Sequence, residues 1–262
     1  MARGEATRRR ILEAAERLVG ERGVAALSLR EAGTMAGARN NSAAIYHFGS
    51  KAALVDAIFE LRMTAVNARR EALLDDATPS DANSSCGSGD TATTSARIAG
   101  SRSGAAAGSA AGSAAGSGSG VNDPVRALAA AFVVPLAESL DEAPGSTWYG
   151  RFLAAFLADP VASGRLTELD RPELSGMRRW MVEVSALLDH LPPPVRDQRI
   201  ELAVRLTVMA VADYERARDA GTPDAGSPAW LASGLVDAVA GLLCAAPSDA
   251  TLNLVATLEV PT

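Results

Sequence analysis

The chain has 262 residues, enough for one or two domains with a sizeable core, and 48% of them are hydrophobic while only 4% are aromatic. Its two cysteines, Cys86 and Cys244, have neither a CxxC nor a metal-ligand spacing, and the charged N-terminus lacks the apolar run of a secretory leader, so a reducing, cytoplasmic setting is expected. The net charge of −6 is unevenly divided: residues 1–51 hold eight arginines and Lys51 against five glutamates, a local +4 that leaves −10 elsewhere and points to a localised polyanion partner.

The first predicted helix runs from about Thr7 to Arg22, with Ile11, Leu12, Ala15, Leu18 and Val19 as its apolar stripe and Gly23 at the left-handed cap position. A second begins at Ser28-Leu29-Arg30-Glu31, a capping box in which serine and glutamate satisfy each other's orphan amides. Gly37 ends it. A third short helix is expected over roughly Asn40 to Tyr46, and Ser50-Lys51 opens a fourth with Leu54, Val55, Ile58 and Leu61 on its apolar side. Short helices joined by a glycine-containing turn fit a helix-turn-helix.

Residues 78–120 differ in kind. Of these 43, 11 are serine, 11 alanine and 9 glycine, with Ile98 the one large aliphatic. Such a stretch buries too little apolar area to offset its ordering entropy, so 78–122 is expected to be a flexible insert with an r.m.s. reach of roughly 36 Å. Helices resume at Asp123-Pro124 and continue to about Leu140, with Pro135 placed to kink or shorten the run. Trp148, Phe152 and Phe156 mark the next helix, stopped at Asp159-Pro160. Another spans about Glu173 to His190 around Met177, Trp180 and Val184.

The helix expected over Val195 to Asp219 is apolar on more than one side. The last, about Pro228 to Ala246, sets Leu231, Leu235, Val239 and Leu242 on one face and Gly234, Ala238, Gly241 and Ala245 on another. This pair carries more apolar surface than one small domain needs, which suggests a subunit interface, although an internal helix pair has the same periodicity. Candidate interface residues are Val204, Val208, Val211, Leu231, Leu235, Ala238, Val239 and Leu242. No strand pattern of comparable length occurs, so the fold class is all-α.

The stretch GARNNSAAIYHFGSK, residues 37–51, gathers nucleic-acid chemistry. Arg39 can donate bidentately to guanine, Asn40 and Asn41 can pair with adenine edges, and Ser42 can serve either base or phosphate. Ala43 and Ala44 keep the helix slim enough for a major groove. Ser28, Tyr46 and His47 offer phosphate donors, and Lys51 adds an ammonium at the start of a helix. Base-reading groups and backbone-positioning groups are thus separate, as specific recognition requires.

Residues 6–63 resemble the DNA-binding domain of the TetR family of transcriptional regulators. The likeness rests on TRRRILEAAERLVGERGVAALSLREAGTMAGA, on Tyr46-His47-Phe48-Gly49-Ser50-Lys51 and on LVDAIFELRM. Between Gly37 and Phe48 the chain has one residue more than the commonest family pattern, and Ile45 stands near where an aromatic is usual.

The resemblance implies a helix-turn-helix domain over 1–51 and a helical regulatory and dimerisation domain over 52–262. It implies a homodimeric repressor on a near-palindromic double-stranded DNA operator, released by a small-molecule effector, with the last two helices in an intersubunit bundle. No cofactor or metal is expected. Met63, Trp148, Phe152, Phe156 and Trp180 are the candidate pocket residues, and their low polarity suggests an apolar effector. An activator, or a regulator without a ligand, would use the same DNA-contact chemistry. An all-helical enzyme is disfavoured: the chain has only His47 and His190, and no Glu-x-x-His pair, phosphate loop or nucleophile elbow.

Overall fold

The computed structural model describes residues 2–38, 42–77, 124–140, 147–164, 174–222 and 226–258, which belong to one compact unit. The expected insert over 78–122 lies outside the described residues. Everything described is helix, turn or connection, with no strand.

Helix α1 spans Ala2–Arg22, five residues longer at its start than its apolar stripe required. That stripe is fully turned inward: Ile11, Leu12, Ala15, Leu18 and Val19 are all buried. Gly23 takes φ 83° and returns its N–H to the Val19 carbonyl at 2.8 Å, the left-handed cap that an L side chain would strain. A single 3-10 turn, Val24–Ala26, then leads to α2, Leu29–Met35. Helix α3 is Ala43–Phe48, beginning and ending later than the expected Asn40–Tyr46. Its buried residues, Ala44 and Phe48, lie four apart and therefore face the same side.

Helix α4, Lys51–Ala77, runs on from the head, the part made of α1 to α3, into the body, the part made of the helices that follow. Its first half buries Leu54, Val55 and Ile58, and its second half buries Met63, Val66, Asn67, Arg70 and Leu74. Helix α5, Pro124–Glu138, packs on α4 and stops three residues after Pro135, whose missing N–H leaves the Ala131 carbonyl without its helical donor. Helix α6, Tyr149–Ala158, lies against α1 and against α9.

Asp159-Pro160 stops α6 and also starts a new helix. The Asp159 carboxylate accepts the N–H groups of Val161 and Ala162, both at 3.0 Å, capping the short α7, Pro160–Gly164. Helix α8, Ser175–Leu187, packs on α4 and α5. Helix α9, Pro193–Asp219, and α10, Pro228–Cys244, follow, the latter capped by Ser227, which accepts from Trp230 N–H at 3.1 Å. A final helix α11, Asp249–Leu258, is added by a serine cap at Ser248.

Two close approaches fix the body. A Cβ on Gly150 would sit 2.7 Å from Val211 Cγ1, so α6 meets α9 with no room for a side chain. A Cβ on Gly176 would sit 2.8 Å from the Asn67 carbonyl oxygen, and α8 is pressed against α4 in the same way.

Candidate nucleic-acid interface

Ser28 caps α2: its hydroxyl oxygen accepts the Glu31 N–H at 3.4 Å, and its own O–H remains available to donate. The reciprocal half of the expected capping box is replaced, because the Glu31 carboxylate is bound by Arg22 Nη1 at 2.6 Å. The end of α2 is a Schellman turn. Gly37 at φ 65° donates to the Thr34 carbonyl and Ala38 to that of Gly33, each at 3.0 Å. An added Cβ on Gly33 would lie 3.6 Å from the Ala44 side chain, so α2 and α3 touch in ordinary contact.

Arg39, Asn40 and Asn41, three of the four expected base readers, lie outside the described residues. The fourth, Ser42, is exposed immediately before α3. Tyr46 is 85% exposed, and its ring meets His47 edge-on at 5.3 Å between centroids. Ile45 is exposed beside it, whereas Phe48 anchors the helix inward under the Arg8 guanidinium, 5.3 Å from the ring. Gly49, at φ 71°, breaks α3, and Ser50 at once caps α4 by accepting Ala53 N–H at 3.1 Å.

The lone lysine has a structural partner. Lys51 Nζ donates to the Ala25 carbonyl at 2.8 Å, tying the start of α4 to the 3-10 turn and leaving two ammonium protons for an anion. Arg30 on α2 is exposed and has no acidic partner among the described residues. It was not singled out from the sequence, although it contributes to the basic excess of residues 1–51.

The head is joined to the body through Glu16. This carboxylate lies buried on α1, where it accepts Arg62 Nε at 2.9 Å and Nη2 at 3.3 Å from α4, and Trp148 N–H at 2.9 Å from the start of α6. An acid one helical turn after Leu12, inside an apolar stripe, is the sequence signal for it. Beside this junction a groove of about 320 Å³ is lined by Arg10, Glu13, Arg17, Met35, Arg62 and Trp148.

Of the other pocket candidates, Met63, Phe152, Phe156 and Trp180 are buried in the core. Phe59 contacts Phe152 and Phe156 at 5.1 and 4.3 Å, while Trp180 stacks on Phe132 at 4.4 Å and donates Nε1–H to the Leu128 carbonyl. Among the interface candidates, Val208, Val211, Leu235 and Val239 are already buried within one chain. Val204, Leu231 and Leu242 are half-buried, and Ala238 is exposed. The outward apolar positions on α9 are instead Leu202, Leu206 and Met209.

Residues 11–58 match the family model described as bacterial regulatory proteins, tetR family. No curated protein matches the chain.

Proposed function

We propose that this chain, a DNA-binding transcriptional regulator of the TetR family, works as a homodimeric repressor that a small effector with an apolar body releases from a near-palindromic operator.

The observation that carries the dimer is an uncovered apolar face. On α9, Leu202, Leu206 and Met209 are 45%, 41% and 46% exposed, at helical spacings of four and three. On and just past α10, Gly234, Ala238, Gly241 and Ala245 are exposed at spacings of four, three and four, and they let another helix approach closely. A second copy related by a two-fold axis would present the same stripes and cover both. Two recognition helices would then meet successive major grooves about 34 Å apart.

Light scattering tests this. Wild-type protein should have the mass of a dimer and Leu206→Arg that of a monomer with unchanged helical content. A wild-type monomer at micromolar concentration would contradict it.

The Glu16 junction supports effector release. Met63 lies one residue past Arg62 on α4, and Tyr149 and Phe152 follow Trp148 on α6. A ligand that displaces α4 or α6 therefore strains hydrogen bonds that end on α1. It shifts the DNA-binding equilibrium only by its differential affinity for the two arrangements.

A further inference from the structure

Arg70 on α4 and Tyr149 at the first residue of α6 are 0% and 1% exposed. Arg70 Nη1 donates to Asn67 Oδ1 one turn earlier, and the guanidinium carbon lies 5.3 Å from the centre of the Phe132 ring. Arg70 Nε and Nη2 have no hydrogen-bond partner among the described residues, and neither does the Tyr149 hydroxyl. The two side chains are near enough to interact electrostatically. Around them the walls are apolar: Phe132 stacks on Trp180, and Tyr149 on Phe152 with ring centroids 6.1 Å apart.

A buried guanidinium is costly unless an anion accompanies it. No carboxylate of the described residues pairs with Arg70. Burial lowers its pKa to about 10, which leaves it cationic at neutral pH. Nε and Nη2 are also the two nitrogens on one side of the guanidinium fork, the pair that binds a carboxylate with two parallel hydrogen bonds. The Tyr149 hydroxyl adds a further donor from a second helix.

We propose that Arg70 and Tyr149 form the polar end of the effector site, and that the effector is an oxyanion, a carboxylate on an apolar body. This rests on the effector-release function above. It refines that function, because an apolar pocket alone would admit neutral or cationic molecules that this pair disfavours.

The test uses the full chain and matched pairs of small molecules: hexanoic, decanoic, benzoic and indole-3-acetic acids with their primary amides. The readouts are the melting temperature and release of a selected operator. At least one acid should stabilise the wild type more than its amide and release the DNA. Arg70→Met should lose that preference, with affinity for the acid falling about tenfold as a charge-assisted pair is removed. Tyr149→Phe, which keeps the ring, should weaken the same acid less, and it carries the test if Arg70→Met fails to fold.

Amides that stabilise as well as acids, or an acid whose effect survives in both variants, would overturn the assignment. So would a panel in which no acid changes the melting temperature. Operator release by neutral compounds alone would overturn the carboxylate but keep effector release.

Discussion

In the head, arginines pair with glutamates one turn away on the surface, Arg9 with Glu13 at 3.0 Å and Arg17 with Glu21 at 2.7 Å. The body has exposed pairs as well, such as Arg69 with Glu138 at 3.0 Å, but where α6 meets α9 the charges are interior. Arg151 of α6 and Glu215 of α9 are both buried, and Glu215 accepts the N–H groups of Gly150 at 3.0 Å and Arg151 at 2.9 Å as well as Arg151 Nε at 3.4 Å. Surface pairs contribute little stability and can exchange a carboxylate for a phosphate. The interior carboxylate satisfies the first amides of α6 and fixes where that helix starts. The same residue types thus leave cations available in one region and set helix positions in the other.

The contrast can be broken most forcefully at Glu215. Glu215→Ala leaves two backbone amides and a buried guanidinium short of an acceptor, and should cost about 3 kcal/mol in urea unfolding. Glu13→Ala should change stability by no more than about 0.5 kcal/mol. Equal losses at the two sites would erase the distinction.

Gly150→Ala probes the same α6–α9 contact through shape. With Val211 Cγ1 only 2.7 Å from the new Cβ and the Ala212 nitrogen at 3.1 Å, a loss of about 1–3 kcal/mol is expected. A neutral result would mean that the helices part easily.

On the head the expected effect is on binding. Lys51→Ala should weaken affinity for all DNA sequences alike and reduce the slope of log K against log salt by about one unit. An unchanged slope would leave Lys51 only its bond to Ala25.

The smallest effect concerns pH. Burial raises the Glu215 pKa from its ordinary value, against the opposing pull of the Arg151 and Gly150 amides. The folded state therefore holds this proton more tightly than the unfolded chain does. Its contribution to stability falls as pH rises from the ordinary carboxylate range through the folded value. Glu215→Gln removes that dependence, so the stability difference, wild type minus variant, should shrink as pH rises through that window. Denaturation at a series of pH values reads the sign, and a widening difference would reject the direction.

Local signals in the sequence carried much of the fold. The α1 stripe, the Ser28 cap and the Gly37 turn each depend on residues within one or two helical turns, and all stand where their spacing put them. Interior polar contacts were not legible in this way, because their partners are distant in the chain. Glu16 meets Arg62 46 positions on and Trp148 132 positions on, and Glu215 meets Gly150 across 65. The α9 pattern was ambiguous for a related reason. A helix apolar on several sides does not say which side its own chain covers, and the packing buries Val208 and Val211 while leaving Leu202, Leu206 and Met209 outward. Helices α7 and α11 were missed because Asp159-Pro160 reads equally as a stop and a start, and because α11 exposes most of its apolar residues.

The most direct measurement is selection of bound fragments from a random pool of double-stranded DNA by the purified full chain, first at low and then at physiological salt. The expected result is a near-palindrome whose half-sites lie about one helical turn apart, with binding that weakens steeply as salt rises. A pool that emerges without enrichment, or with no retention of duplex DNA even at low salt, would contradict the claim that α1 to α3 form a DNA-reading head.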